Sequence, residues 1–102
     1  KPSLLITLTG ASFSRGQVAT ITVTIFNPTS PPLVSTLYIE VSGPSGYYYF
    51  DFTQVSVAAD SFASYSFTWQ VPSNAATGTY QISAGLIPPI LTAYDATYVM
   101  VT

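Results

Sequence analysis

The most informative absences in this 102-residue chain are histidine and cysteine, neither of which occurs. Histidine is the commonest general base near neutral pH, cysteine supplies the thiolate nucleophile, and both are frequent ligands of transition metals. Without cysteine no disulfide can cross-link the fold, and cysteine usage says nothing about the redox compartment. We therefore expect no cofactor and no metal site.

Charged side chains are also scarce. Lys1 and Arg15 are the only cations, so the counterion release that drives binding to nucleic acid is almost absent. The carboxylates stand apart from one another in sequence and are Glu40, Asp51, Asp60 and Asp95. Two of them could meet in space as a glycosidase pair, but solvated surface carboxylates are much commoner. We predict that the chain has no catalytic residue, is not an enzyme and binds no nucleic acid.

Long apolar runs are missing as well, although 48% of the residues are hydrophobic. A membrane-spanning helix needs about 18 consecutive apolar residues. The most apolar segment, Leu86 to Leu91, is broken by Pro88 and Pro89 and should form a corner. We expect no membrane insertion. Aromatic residues make up 15% of the chain, which is atypical of disorder, so a single folded domain is expected over residues 1–102.

The sequence is rich in alternating apolar and polar residues. Between Val18 and Asn27, Ile21, Val23 and Ile25 alternate with threonines, as a half-buried strand requires. Seven to eight short segments of this kind are separated by turn residues, and no stretch has a convincing helical period. This spacing predicts an all-β, antiparallel sandwich.

Two stretches of the chain resemble a known class of module. FTWQVPSNAATGTYQISA (Phe67 to Ala84) and GQVATITVTIFN (Gly16 to Asn27) look like strands of immunoglobulin-like sandwich modules. These include fibronectin type III-like, CARDB-like and macroglobulin-like domains of prokaryotic surface proteins, archaeal ones among them. The resemblance implies an immunoglobulin-like fold in a secreted or surface protein. It also implies a tyrosine corner at Tyr80, whose buried hydroxyl would bind backbone a few residues upstream.

The densest aromatic run, Tyr47 to Phe52, provides the candidate contact site. In a strand its members divide between two faces: Tyr48, Phe50 and Phe52 on one, and Tyr47, Tyr49 and Asp51 on the other. We predict that Tyr47 and Tyr49 point outward and contact a ligand or protein partner, since exposed tyrosines offer flat amphipathic faces. The alternative is that both faces are buried, one by the opposite sheet and one by a proline-rich loop.

The first and last strands are expected to lie at sheet edges. They span Leu4 to Thr9 and Thr92 to Thr102, and both lack the lysines that usually protect an edge. Either edge could pair with a neighbouring chain, so the predicted partners are other protein domains or copies of this chain, with carbohydrate as a further candidate. In the last strand we expect Val99 and Val101 to face the core.

These features support one leading function and two alternatives. The leading hypothesis is a non-catalytic structural or adhesion module of an extracellular or cell-surface protein, serving as a spacer or as a building block of a surface layer or filament. The alternatives are a carbohydrate- or peptide-binding module and an accessory domain of a larger extracellular hydrolase. A neighbouring catalytic domain would favour the last of these, and tandem copies would favour the first.

Overall fold

Eight strands form two packed sheets in the computed structural model, which describes residues 2–87 and 93–102. In chain order the strands are β1 (Ser3–Leu8), β2 (Ser12–Phe13), β3 (Val18–Asn27), β4 (Leu33–Ser42), β5 (Tyr48–Val57), β6 (Ser61–Gln70), β7 (Gly78–Ile87) and β8 (Tyr94–Val101). A short 3₁₀ turn, Pro44–Gly46, connects β4 to β5. The predicted all-β sandwich is confirmed. Among these residues no helix has the length and apolar character needed to span a membrane.

The strands are divided unequally between the sheets. One sheet has the order β1-β3-β6 and the other the order β2-β8-β7-β4-β5. Neighbouring strands are antiparallel, except that the short β2 runs parallel to β8. Because side chains alternate across a strand, each sheet directs one set of residues into the space between the sheets and the other set to solvent.

The core fills the space between the two inner faces. Trp69 and Tyr80 are its largest fully buried side chains, and they come from opposite sheets. In β8, Val99 and Val101 are buried while Tyr98 and Met100 are exposed, as the sequence predicted. The proline-rich corner predicted over Leu86 to Leu91 falls mainly on residues 88–91, outside the described residues, whereas Leu86 and Ile87 still belong to β7.

A buried asparagine organises the crossing from the first sheet to the second. The side-chain amide of Asn27 donates to the carbonyl of Pro31 at 3.0 Å and to that of Val57 at 3.3 Å. Its oxygen accepts from the backbone N–H of Thr29 at 3.1 Å and from the Thr29 hydroxyl at 2.7 Å. Since the Asn27 side chain is buried, these bonds offset its desolvation. The loop after Asn27 is thus an inter-sheet crossover.

Hydroxyl pairs replace charges on the outer face of the three-stranded sheet. Thr22 and Ser66 lie opposite each other on β3 and β6, with their hydroxyl oxygens 3.1 Å apart. The hydroxyls of Thr24 and Ser64 form a second such pair at 2.9 Å. Cross-strand pairs of this type stabilise a sheet without ionisation, which explains how so few charged residues serve this surface.

Candidate contact surfaces

The aromatic run faces the opposite way from the prediction. Tyr47 and Tyr49 are half-buried and pack against the core. The exposed set is Tyr48, Phe50 and Phe52, whose side chains are 56%, 44% and 59% accessible. The predicted outward orientation of Tyr47 and Tyr49 is therefore wrong, while a contact between either hydroxyl and a ligand stays a prediction.

The continuity of β5 explains the reversed orientation. The strand runs unbroken to Val57, and Val55 and Val57 are both buried. Side chains alternate in a continuous strand, so the odd-numbered residues face the core along its whole length. The sequence prediction considered only the run from Tyr47 to Phe52 and therefore lacked this constraint.

The inward tyrosines are held by specific contacts. The Tyr47 hydroxyl accepts a hydrogen bond from the indole Nε1 of Trp69 at 2.9 Å. The Tyr47 ring also meets the ring of Tyr80 edge-on, with centroids 5.7 Å apart. Tyr49 donates its hydroxyl hydrogen to the Thr68 carbonyl at 3.3 Å. Burial, followed by the neighbouring Asp51 carboxylate, raises the pKa of Tyr49 above its ordinary value.

The exposed rings belong to a broader aromatic face on the outside of the five-stranded sheet. Tyr38 stacks on Phe50 with ring centroids 6.0 Å apart and an interplanar angle of 19°. Phe50 and Phe52 are 5.9 Å apart. We call this set, Tyr38, Tyr48, Phe50 and Phe52, the aromatic face. Its rings come from the neighbouring strands β4 and β5.

A glycine in the neighbouring strand makes room for the Tyr38 ring on this surface. Gly85 of β7 lies opposite Tyr38 in the sheet. A Cβ atom on Gly85 would collide with the ring and hydroxyl of Tyr38, so the Tyr38 side chain lies across the bare backbone of β7. This close approach needs glycine for its missing side chain. The ring of Tyr38 therefore lies along the sheet.

Only one carboxylate lies beside the described part of the aromatic face. Tyr48 donates its hydroxyl hydrogen to Glu40 at 2.5 Å. That hydrogen bond stabilises the protonated phenol and raises the pKa of Tyr48 above its ordinary value. The pKa of Tyr38 is also raised above its ordinary value, first by partial burial and then by the charge of Glu40. Both phenols are therefore neutral throughout the physiological pH range.

The other carboxylates are separated by the fold. Asp60 lies in the turn between β5 and β6 with a positive φ of 55°, and Asp51 accepts from the backbone N–H of Phe52 at 2.8 Å. Asp95 accepts from the backbone N–H of Ile6 at 2.9 Å. Over residues 2–87 and 93–102, no three acidic side chains gather into a group that could hold a metal ion.

The sheet edges differ from the predicted edges in one respect. β1 is an edge strand, as predicted, but β8 lies between β7 and β2 and is therefore not a fully open edge. The remaining outer strands are β2, β5 and β6.

Side chains of this chain cover backbone groups on the edge strands. Asp95 binds the N–H of Ile6 in β1, and Asp51 binds the N–H of Phe52 in β5. The Tyr65 hydroxyl lies 3.1 Å from both the N–H and the carbonyl oxygen of Ser56, also in β5. Such contacts blunt an edge in the same way as gatekeeper lysines. Strand addition is still untested, but these contacts make it less favourable than the bare sequence suggested.

The tyrosine corner expected at Tyr80 is present. Its side chain is buried, and its hydroxyl donates to the carbonyl of Ala76 at 2.7 Å. The bond ties the loop after β6 to the start of β7. A pocket of about 420 Å³ opens beside this corner. Its wall includes Arg15, Tyr47, Tyr80 and two prolines, Pro44 and Pro72.

Replacing Tyr80 with phenylalanine should destabilise the fold through the corner alone. The ring remains, but the Ala76 carbonyl loses its partner, so we expect a loss of about 1–2 kcal/mol in the free energy of unfolding. Urea denaturation measures this change. Tyr98→Phe is the matched control, because Tyr98 is exposed, and it should stay within about 0.5 kcal/mol of the wild type. Equal effects of the two changes would show that the corner contributes no stability.

Comparison with known proteins defines the fold and nothing finer. Neither a protein-family model nor a curated protein sequence matches this chain. Solved structures do resemble it. A cycloisomaltooligosaccharide glucanotransferase from Paenibacillus sp. superposes with a TM-score of 0.82 at 15% identity, over 95% of this chain and 13% of that chain. A β-glucosidase from Erythrobacter marinus superposes with a TM-score of 0.81 at 13% identity, over 100% of this chain and 15% of that chain.

The same fold also occurs in an enzyme of a different class. The alkylpurine DNA glycosylase AlkC of Pseudomonas fluorescens matches with a TM-score of 0.73 at 8% identity, over 98% of this chain and 30% of that chain. This chain therefore spans less than a third of the length of each of these proteins. At such low identities the likeness establishes a shared β-sandwich fold, which recurs as one part of much larger proteins.

Proposed function

We propose that this chain is a non-catalytic, immunoglobulin-like module of a secreted or cell-surface protein, with a structural or adhesive role. In this proposal it associates with a second copy through the outer surface of its five-stranded sheet. The observation that carries the proposal is the aromatic face, where Tyr48, Phe50 and Phe52 are about half exposed on a sheet whose other side packs against the core. Contiguous exposed aromatic surface on a small domain is characteristic of a contact site.

The size of the surface suits an interface between proteins. The four long strands, about 4.8 Å apart and about 30 Å long, give a face of about 600 Å², because β2 has only two residues. Standard interfaces cover about 600 to 1,000 Å² on each partner. One sheet face is thus large enough for specific association when it packs on a flat partner.

The chemistry of the surface favours a second copy as that partner. Glu40 is the one carboxylate beside the aromatic face, and it already accepts a hydrogen bond from Tyr48. A copy of the chain presents the same weakly charged surface, so two such faces can meet with little electrostatic repulsion. The covered backbone groups on β1 and β5 also make face-to-face packing preferable to strand addition.

Sedimentation of matched variants tests this association. We expect the wild-type chain to form a concentration-dependent dimer below about 1 mM. The double substitution Phe50→Ser with Phe52→Ser should weaken the dimer at least about tenfold without unfolding the protein, because both rings are exposed. Phe62→Ser is the control, since Phe62 is an exposed phenylalanine on β6 of the other sheet.

Two outcomes would contradict the proposal. One is a wild-type chain that stays monomeric up to about 1 mM, where even weak interfaces form. The other is loss of the dimer in the Phe62→Ser variant but not in the double variant. That result would place the interface on the three-stranded sheet, near the stacked rings of Phe26 and Phe62, whose centroids are 4.5 Å apart.

The second candidate function is an accessory domain of a larger extracellular hydrolase. The similarity to small parts of a glucanotransferase and a β-glucosidase favours it. In this role the aromatic face would pack on a neighbouring domain or on carbohydrate, since aromatic rings suit both. The coding sequence on either side of this chain distinguishes the two functions: an adjoining catalytic domain supports the accessory role, and tandem copies support the structural role.

A further inference from the structure

We infer that the pocket beside the tyrosine corner binds the carboxylate group of a ligand. The pocket has a volume of about 420 Å³, within the range of small-molecule sites. It lies at the end of the sandwich formed by the β4–β5 turn and the loop between β6 and β7, and none of its lining residues belongs to the aromatic face. The inference is thus independent of the proposed association between copies.

Arg15 supplies the positive charge of the pocket. Its guanidinium Nε donates to the carbonyl of Ala75 at 2.7 Å, which anchors the side chain to the wall of the pocket. Within residues 2–87 and 93–102, Arg15 forms no ion pair with a carboxylate. Its two terminal nitrogens are therefore left to interact with a ligand. A planar pair of N–H donors matches the two oxygens of a carboxylate.

Tyr47 supplies a second donor. Its hydroxyl oxygen accepts a hydrogen bond from the indole Nε1 of Trp69, so the hydroxyl hydrogen remains available for a second hydrogen bond. Over the part of the chain that the structure describes, that hydrogen has no acceptor. Tyr47 also lines the pocket. A ligand oxygen in the pocket would satisfy this hydrogen and complete a chain of hydrogen bonds from Trp69 through Tyr47.

The remaining walls suit the body of an organic ligand. Pro44, Pro72 and the ring of Tyr80 provide apolar surface, whereas Ser45 and Asn74 provide polar groups. None of the four acidic residues lines the pocket. In a protein of net charge −2, the one cation among the described residues thus lies at a concave site free of carboxylates. Electrostatics therefore favours an anion over a neutral or cationic ligand.

The ligand class is a small organic carboxylate or a chain end that carries one. Two sources present this chemistry: the C-terminus of a peptide and a uronic acid sugar. N-acetylphenylalanine represents the first source and glucuronate the second. N-acetylphenylalanine amide and glucose are the corresponding neutral controls, because each lacks only the carboxylate.

Tryptophan fluorescence and nuclear magnetic resonance can follow binding. Trp69 is the only tryptophan and touches Tyr47, so a ligand bound by the Tyr47 hydroxyl should shift the Trp69 Nε1–H resonance and change its emission. We expect at least one of the two carboxylates to produce these changes and its neutral control to bind at least about tenfold more weakly. Binding of glucuronate alone would assign the site to acidic sugars, and binding of N-acetylphenylalanine alone would assign it to peptide ends.

Variants then test the two donors. Arg15→Gln should weaken binding at least about tenfold, and Arg15→Lys should restore part of it, because charge is kept while the paired donors are lost. Tyr47→Phe should weaken binding several-fold. Unchanged melting temperatures for the Arg15 variants would show that the loss is local. No binding of either carboxylate at about 50 mM, equal binding of the neutral controls, or full binding by Arg15→Gln would overturn the inference.

Discussion

Replacing Trp69 with alanine should lower the free energy of unfolding by about 3–5 kcal/mol, the cost of truncating a fully buried aromatic side chain. Trp69 has no solvent exposure. Its ring lies 6.2 Å from that of Tyr47 and 5.7 Å from that of Tyr80, so truncation removes packing between β6 and the five-stranded sheet. Without a disulfide to restrain the unfolded chain, a domain of this size has only about 5–15 kcal/mol of stability in total.

Trp69→Phe separates the packing of the ring from its hydrogen bond. The smaller ring retains much of the apolar contact, but the bond from Nε1 to the Tyr47 hydroxyl is lost. We expect a loss of about 1–2 kcal/mol. Urea denaturation of both variants gives the comparison. A loss below about 1 kcal/mol for Trp69→Ala, or strong quenching of Trp69 by acrylamide in the native protein, would contradict the central place of Trp69 in the core.

Replacing Gly43 with alanine should cost about 3 kcal/mol, the upper part of the usual range for overpacking a core. A Cβ atom at this position would collide with three carbon atoms of the Tyr80 ring. That ring is buried, and its hydroxyl is bound to Ala76, so it has little room to move. The φ of Gly43 is −150°, which any residue can adopt, so the cost arises from the collision and not from backbone strain.

Gly10→Ala provides the matched control for this prediction. The nearest atom to a Cβ on Gly10 is the carbonyl oxygen of Ser12 at 3.8 Å, an ordinary contact. This variant should stay within about 0.5 kcal/mol of the wild type in the same denaturation experiment. Equal stability of the Gly43 and Gly10 variants would show that the Tyr80 ring can move aside, and the tyrosine corner would then be less rigid than its contacts indicate.

Local pattern was sufficient for the strands and for most of the core. The strand predicted from Val18 to Asn27 has the same limits in the structure, because isoleucine and valine alternate with threonine from Thr20 to Ile25. The buried positions of Val99 and Val101 were also predicted, because β-branched residues fill sandwich cores well. Period-two alternation identifies the two faces of a strand, and the richer apolar face turns inward wherever the two faces differ clearly.

The alternation pattern predicted the wrong orientation where both faces of a strand carry aromatic side chains. In the run from Tyr47 to Phe52 either set of rings could have been buried, and the choice came from β5 continuing into Val55 and Val57. The side-chain contacts that cover the edge strands could not be predicted from the sequence either. Asp95 reaches Ile6 across 89 positions of the chain, and a contact at that separation exists only once the two sheets are packed.

By itself, therefore, the sequence determined the all-β class, the alternating strands and the scarcity of groups for acid–base or metal chemistry. These follow from residue type and short-range period, which act within a single strand. The tertiary structure alone decided which aromatic rings reach solvent. It also brought Arg15 to the loop that contains Ala75, and placed Arg15 and Tyr47 in the wall of one pocket. Both outcomes depend on strand continuity and sheet order, which join residues far apart in the chain.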